Sequence, residues 1–150
     1  MSMNKLQIRN KVRNVLMEEV TKKVAAGVLI TCEKTDKIFL MLRSSGGIGG
    51  NTWNLLAGGI EEGETPLEGL KRELKEETTI EPNTVEYKFV SKEFDKDRNL
   101  DFHYYKGFTK SEFIAKLNEE NTDYGWFGKD DLPSPLFPNL IEKINKIWDN

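Results

Sequence analysis

The 150-residue chain holds one cysteine and one histidine, so chemistry that needs clusters of either is excluded at the outset. Cys32 has no partner for an internal disulfide, which fits a reducing compartment. A Cys–His nucleophile would have to join Cys32 to His103, far along the chain, and His103 reads as a sheet residue rather than a catalytic base. Long apolar runs are missing too. Nothing approaches the roughly 18–20 residues of a membrane span, and no signal-like apolar stretch follows the start. We therefore expect a soluble, cytoplasmic protein with no membrane partner. Internal repeats and low-complexity segments are also absent. With 37% hydrophobic and 31% charged residues the chain can bury one core and is unlike a disordered polymer, so residues 1–150 read as a single domain.

Charge of one sign is scarce except at the start. The formal net charge is −3, yet residues 1–23 carry Lys5, Arg9, Lys11, Arg13, Lys22 and Lys23 against Glu18 and Glu19. The apolar positions between them, Leu6, Ile8, Val12, Val15, Leu16 and Val20, fit neither a clean helix nor a clean strand. The segment reads as a packed basic arm with a solvated edge, which would help attract a polyphosphate. Without a larger basic surface or interleaved aromatics, nucleic acid is not expected as the main partner.

Val24 to Cys32 is apolar and β-branched, Thr35-Asp36-Lys37 marks a turn, and Ile38 to Leu42 follows as a second central strand. Ser44 to Asn51 is a glycine-rich surface loop, and Trp53 to Leu56 a short strand. Val85 to Phe94 and Leu100 to Thr109 flank the polar reversal Asp95 to Asn99, which suggests a hairpin. Tyr124 to Phe127 reads as a further strand, and Leu140, Ile141, Ile144, Ile147 and Trp148 recur at helical spacing. Arg43, at the end of the second strand, is a candidate phosphate contact because its fork can grip an anion. Tyr104, Tyr105, Trp126 and Phe137 could stack on a base, although aromatics in strands are usually core.

The chemistry concentrates between Gly58 and Ile80, where a glycine-rich turn runs into an acidic helix. Thr65-Pro66-Leu67-Glu68 supplies an N-cap, a proline at the first helical position and a capping-box glutamate. At about 100° per residue, Leu67, Leu70 and Leu74 form one stripe, Lys71 and Lys75 a second, and Glu73, Glu76 and Glu77 a third. Like charges at i,i+3 and i,i+4 cost roughly 0.2–0.5 kcal/mol per pair, so something positive should offset them. A glutamate run is ordinarily a solvated face. Here the cap, the turn and Gly69, which leaves the space above the acids open, argue for a built site. Mg²⁺ and Mn²⁺ prefer such hard oxygen ligands together with substrate phosphates.

A glycine (Gly58), five residues, a glutamate (Glu64), seven residues, Arg72-Glu73, an aliphatic residue, any residue, Glu76-Glu77, any residue, then Thr79 and Ile80: this resembles the Nudix box of the Nudix hydrolases. Thr79 stands where the family has glycine. Because a β-branched residue resists the positive φ that glycine supplies, the helix is expected to end differently here or to run on into Ile80. Leu56 and Ala57 replace the glycine or proline common before the Gly58-Gly59 pair.

The resemblance implies an α/β/α sandwich with a mixed β-sheet between helices. It implies that Glu76 and Glu77 are metal ligands, that Glu73 is a further ligand or the base that prepares water, and that Arg72 orients a neighbouring acid. Glu64 would brace the loop or touch a metal, the Ala57 carbonyl would complete the coordination, and Gly58 and Gly59 would shape the turn. Some members take their base from a late loop, which makes Glu119 or Glu120 a candidate, with Glu120 preferred. The implied activity is Mg²⁺- or Mn²⁺-dependent hydrolysis of the diphosphate in nucleoside diphosphate derivatives: ADP-ribose, dinucleoside polyphosphates, nucleoside triphosphates, or an RNA 5′ end as the one nucleic-acid exception. The alternative is a Nudix-like regulatory domain that binds a nucleotide without cleaving it. A homodimer is compatible with either.

Overall fold

The structure, a computed structural model, describes residues 4–9 and 22–150. The expectation of a packed basic arm rests mainly on residues 10–21, which lie outside that range. The apolar, β-branched run becomes β1, Lys23–Cys32, and it is the centre of the sheet. Its inward positions alternate between two covered faces, so almost every residue of it is buried.

One edge of β1 pairs along its full length with β6, Leu100–Thr109, in parallel. The other edge is shared. Near its end it joins β2, Ile38–Arg43, through the Thr31↔Ile38 register; nearer its start it pairs antiparallel with β4, Leu56–Gly59, from Val28↔Leu56 to Ala25↔Gly59. A two-residue β3, Trp53–Asn54, lies against β2. The expected hairpin forms between β5, Glu86–Asp95, and β6, with a bulge between Phe89 and Ser91. β7, Asn121–Phe127, runs antiparallel to β2 and starts three residues before the sequence suggests. The path β3-β2-β1-β6-β5, with β4 and β7 added on the flanks, makes one mixed sheet.

Two helices cover it. Helix α1, Pro66–Thr78, buries Leu70 and Leu74 against Ala26, Val28, Ile30 and Phe39. Helix α2, Leu140–Trp148, buries Leu140, Ile144 and Ile147 against Leu29, Ile38 and Leu40 on the opposite face. The period-two alternation of β1 and β2 thus feeds two cores, and the protein is an α/β sandwich with a mixed sheet between helices. No helix among the described residues is long and apolar enough to cross a membrane.

Two local expectations change. Gly58 and Gly59 are not in a turn: they end strand β4, and the reversal follows over 60–65, with Gly63 at φ 88°. Helix α1 does stop at Thr78, because Thr79 takes the left-handed conformation (φ 63°, ψ 5°) that the threonine was expected to resist. Its N–H bonds the Lys75 carbonyl at 2.9 Å and its hydroxyl bonds the Thr78 carbonyl at 2.6 Å, so local hydrogen bonds hold the geometry glycine would adopt freely.

Candidate active site

The helix start is built as the sequence predicts. The Glu68 N–H donates to Thr65 Oγ1 and the Thr65 N–H to Glu68 Oε1, both at 3.1 Å. With the first turn fixed, the Leu70 and Leu74 stripe locks the rotation of α1, and the acidic stripe is left facing the end of β4 and the loop after it.

Arg72 organises that face. Its Nε donates to both Glu64 oxygens, at 3.2 and 3.1 Å, and its Nη2 to Glu64 Oε1 at 2.7 Å and to the Gly59 carbonyl at 3.1 Å. Its Nη1 donates to Glu73 Oε1 at 3.0 Å and Glu76 Oε2 at 3.2 Å. One guanidinium therefore ties the loop, the strand end and two turns of the helix together, a use of the planar fork that a lysine could not copy. Its bonds to Arg72 pull the Glu64 carboxyl below the usual range, and Glu64 in return accepts the Glu61 N–H at 2.8 Å.

Two glycines are required by close approach. A side chain at Gly58 would put its Cβ 2.6 Å from the Glu73 carboxyl carbon, and one at Gly69 would collide with Ile60 and lie 3.0 Å from Glu64 Oε1. Gly69 is thus a contact point where the loop packs on the helix, rather than an opening above the acids.

Beyond Arg72 lies a second grouping. One carboxylate oxygen each from Glu73, Glu77 and Glu120 falls within 4.8 Å of the others, a cluster that could hold a divalent cation. Glu120 comes from a distant stretch: it precedes β7, and its carbonyl accepts the Ser44 N–H at 2.9 Å while the Glu119 carbonyl accepts Ser44 Oγ at 2.6 Å. Asn121 then pairs with Arg43 in the sheet and donates from Nδ2 to Glu77 Oε1 at 3.3 Å. Among the described residues the other oxygen of Glu77 is buried with no hydrogen bond from a donor group, the Glu120 carboxyl lying beside it. Burial, reinforced by Glu120 and Glu73, pushes the Glu77 carboxyl up to about 8, and burial also raises Glu73 despite the bond from Arg72. Three converging acids with an orphaned buried oxygen are the donor set a hard cation would satisfy.

The other expected site residues fall around this cluster. Glu76, with its side chain 53% exposed, is outside the close trio and bonds Arg72 instead. Glu64 binds Arg72 rather than facing the trio. Ala57 lies in β4 opposite Gly27, with its side chain toward the α2-side core. Arg43 is exposed beside the Glu120 loop, its guanidinium unpaired among the described residues. Trp126 and Tyr105 pack against the α1-side core and Tyr104 is buried on the other, whereas Phe137 lines a cavity. Asn121 escaped the sequence reading; its only signal was adjacency to Glu120.

A protein-family model for the NUDIX domain matches residues 21–146. An RNA pyrophosphohydrolase of Psychrobacter cryohalolentis is 33% identical over 100 residues, covering 61% of this chain and 56% of that protein. One from Nitratiruptor sp. is 37% identical over 73 residues, 47% of each chain. The chain thus spans about half the length of these relatives. Among solved structures, an ADP-ribose pyrophosphatase of Streptococcus suis superposes with a TM-score of 0.68 at 24% identity, covering 86% of this chain and 91% of that one. The NUDIX domain of Shewanella oneidensis NrtR, solved with ADP-ribose, gives 0.70 at 19% identity, covering 86% and 88%. With the family model spanning the sheet, the Arg72-centred acids, helix α1 and most of helix α2, this chain belongs to the NUDIX domain family.

Proposed function

We propose that the protein is a divalent-metal-dependent pyrophosphohydrolase that cleaves the phosphoric anhydride of nucleotide derivatives, an RNA 5′ triphosphate end among them. The observation that carries this reading is the Glu73, Glu77 and Glu120 cluster, with a buried Glu77 oxygen that no donor among the described residues meets. The names of the relatives agree with it.

Glu73, Glu77 and Glu120 would hold Mg²⁺ or Mn²⁺, with Glu76 joining once it leaves Arg72. When bound, such a cation neutralises diphosphate charge and lowers the pKa of water. The chain's own groups do the rest. Arg72 fixes the Glu73 carboxylate from one side, so that its second oxygen is aimed rather than free to rotate. Asn121 fixes Glu77 in the same way. Glu120, exposed at the rim of the cluster, or Glu73 within it, would accept a proton from a water attacking phosphorus. Arg43, unpaired among the described residues at the adjacent strand end, would supply a fork for a substrate phosphate.

Incubating the wild type and Glu77→Gln with ADP-ribose, dinucleoside polyphosphates, nucleoside triphosphates and a triphosphorylated RNA oligonucleotide, in Mg²⁺ or Mn²⁺, tests the reading by chromatography of the products. Turnover that collapses in Glu77→Gln is expected. No turnover across the panel, with tight metal-independent nucleotide binding, would replace the enzyme by a binding domain.

A further inference from the structure

The three acids of the cluster are held by unequal means. Glu73 and Glu77 stand on a helix, which fixes where each side chain starts, and Arg72 and Asn121 then hold their carboxylates. Glu120 has no helix beneath it: it sits in a turn ahead of β7 with its side chain exposed. Each residue of such a turn keeps two soft backbone torsions. The direction of the Glu120 Cα–Cβ bond is therefore set only if the peptide units on both sides of it are fixed.

Both are fixed, and Ser44 takes part in each. The peptide before Glu120 is held at both ends: its carbonyl, on Glu119, accepts Ser44 Oγ at 2.6 Å, and its N–H donates to Asn118 Oδ1 at 3.0 Å. The peptide after it is held through the Glu120 carbonyl, which accepts the Ser44 N–H at 2.9 Å. One residue thus serves two successive carbonyls. The N–H continues the ladder between β2 and β7 one step past the Arg43↔Asn121 pair. The next step is beyond the backbone of Ser44, which has a single N–H, and the hydroxyl supplies it. A bulge makes the alignment possible. The register shifts between Leu42 and Arg43, so Thr122 is passed over and Glu120, rather than Asn121, comes to Ser44. Ser44 is itself braced from behind, because Gly50 folds back so closely that a Cβ there would lie 3.1 Å from the Ser44 carbonyl.

We infer that the Ser44 hydroxyl is a positioning group for Glu120: together with Asn118 it fixes the peptide before Glu120 and so aims that carboxylate at the oxygens of Glu73 and Glu77. The inference rests on the cation reading of the cluster above and adds to it a residue that acts through Glu120. Any residue but proline would supply the N–H at this position. Alanine therefore removes one of the two bonds, and threonine keeps both.

Titrating Mn²⁺ into the metal-free protein, followed by electron paramagnetic resonance, tests this without any substrate. Ser44→Ala should weaken Mn²⁺ binding roughly tenfold, as loss of an outer support does, while Ser44→Thr stays within about twofold of the wild type. In a Glu120→Gln background Ser44→Ala should cost nothing further, because the charge it aims is already gone. With a nucleotide that the wild type hydrolyses, Ser44→Ala should lower kcat about tenfold and leave KM within about twofold. Wild-type Mn²⁺ affinity in Ser44→Ala, an equal loss in Ser44→Thr, or an undiminished loss beside Glu120→Gln would overturn the inference. Should Ser44→Ala fail to fold, Asn118→Ala frees the other end of the same peptide and decides by the same titration. Mn²⁺ binding that collapses in Glu77→Gln yet ignores Ser44→Ala would end the positioning role and leave the metal reading intact. The expected Mn²⁺ losses without turnover of any nucleotide would overturn the hydrolase reading instead, and a wild type that binds no Mn²⁺ would overturn both.

Discussion

Glu73 and Gly58 face each other across the gap between α1 and β4, and the contact makes each a test of the other. The Glu73 carboxylate sits where a side chain on residue 58 would have to go, so Gly58→Ala should displace it and weaken cation binding roughly 10–100-fold, as disturbing the support of a ligand does. Titrating Mn²⁺ by electron paramagnetic resonance reads this directly; unchanged affinity would show that the Glu73 position does not matter for the metal. Glu73→Gln keeps the shape and the acceptor for Arg72 but removes the charge. It should lower kcat by about 10²–10⁴ while changing nucleotide affinity less, and a variant with full kcat would take Glu73 out of the mechanism. Both residues were visible in the sequence because the spacing that places them is local. Asn121 and Ser44 were not, since each acquires its partners from stretches of chain far from its own.

Helix α1 shows how local signals divide into those that can be read alone and those that cannot. Its capping box and its Leu70 and Leu74 stripe came directly from residue type and periodicity, and they set where the helix starts and which way it faces. Its exit did not follow the same way. Propensity argued against a left-handed threonine, yet Thr79 adopts that conformation, with α1 ending under the packing of Leu74 and Thr78. Thr79→Gly should therefore stabilise the protein by about 0.5–1 kcal/mol in urea unfolding, the relief of left-handed strain being partly offset by the entropy glycine gains when unfolded. Thr65→Ala should cost about 1 kcal/mol in the same measurement, by freeing the Glu68 N–H. A destabilising Thr79→Gly would mean that the hydroxyl bond to Thr78 outweighs the strain.

Across the whole molecule, cation binding and folding stability should be linked through Glu77, a buried acid of the α1 face. At 100 times its Kd a ligand of the native state adds about 2.7 kcal/mol, which for a chain of this size raises Tm by roughly 5–10 °C. Calorimetric scans in Mn²⁺ and in chelator should show that shift for the wild type. For Glu77→Gln the shift should vanish, while the metal-free protein melts no lower, because the amide replaces a carboxyl that burial already disfavours. A retained shift would assign the cation to other residues. The sequence by itself determined β1, β2, the β5–β6 hairpin, both helices, the acids of α1 and the reaction class they resemble, since these depend on period, cap and spacing within a few residues, whereas β4 was read as a turn. Only the tertiary structure decided which acids converge. Pairing β7 to β2 brings Glu120 to Glu73 and Glu77, Arg72 draws Glu64 and Glu76 to itself, and Ser44 meets the Glu119–Glu120 peptide. These are contacts between segments tens of residues apart, and their geometry is set by sheet register and by the two cores, which no local pattern encodes.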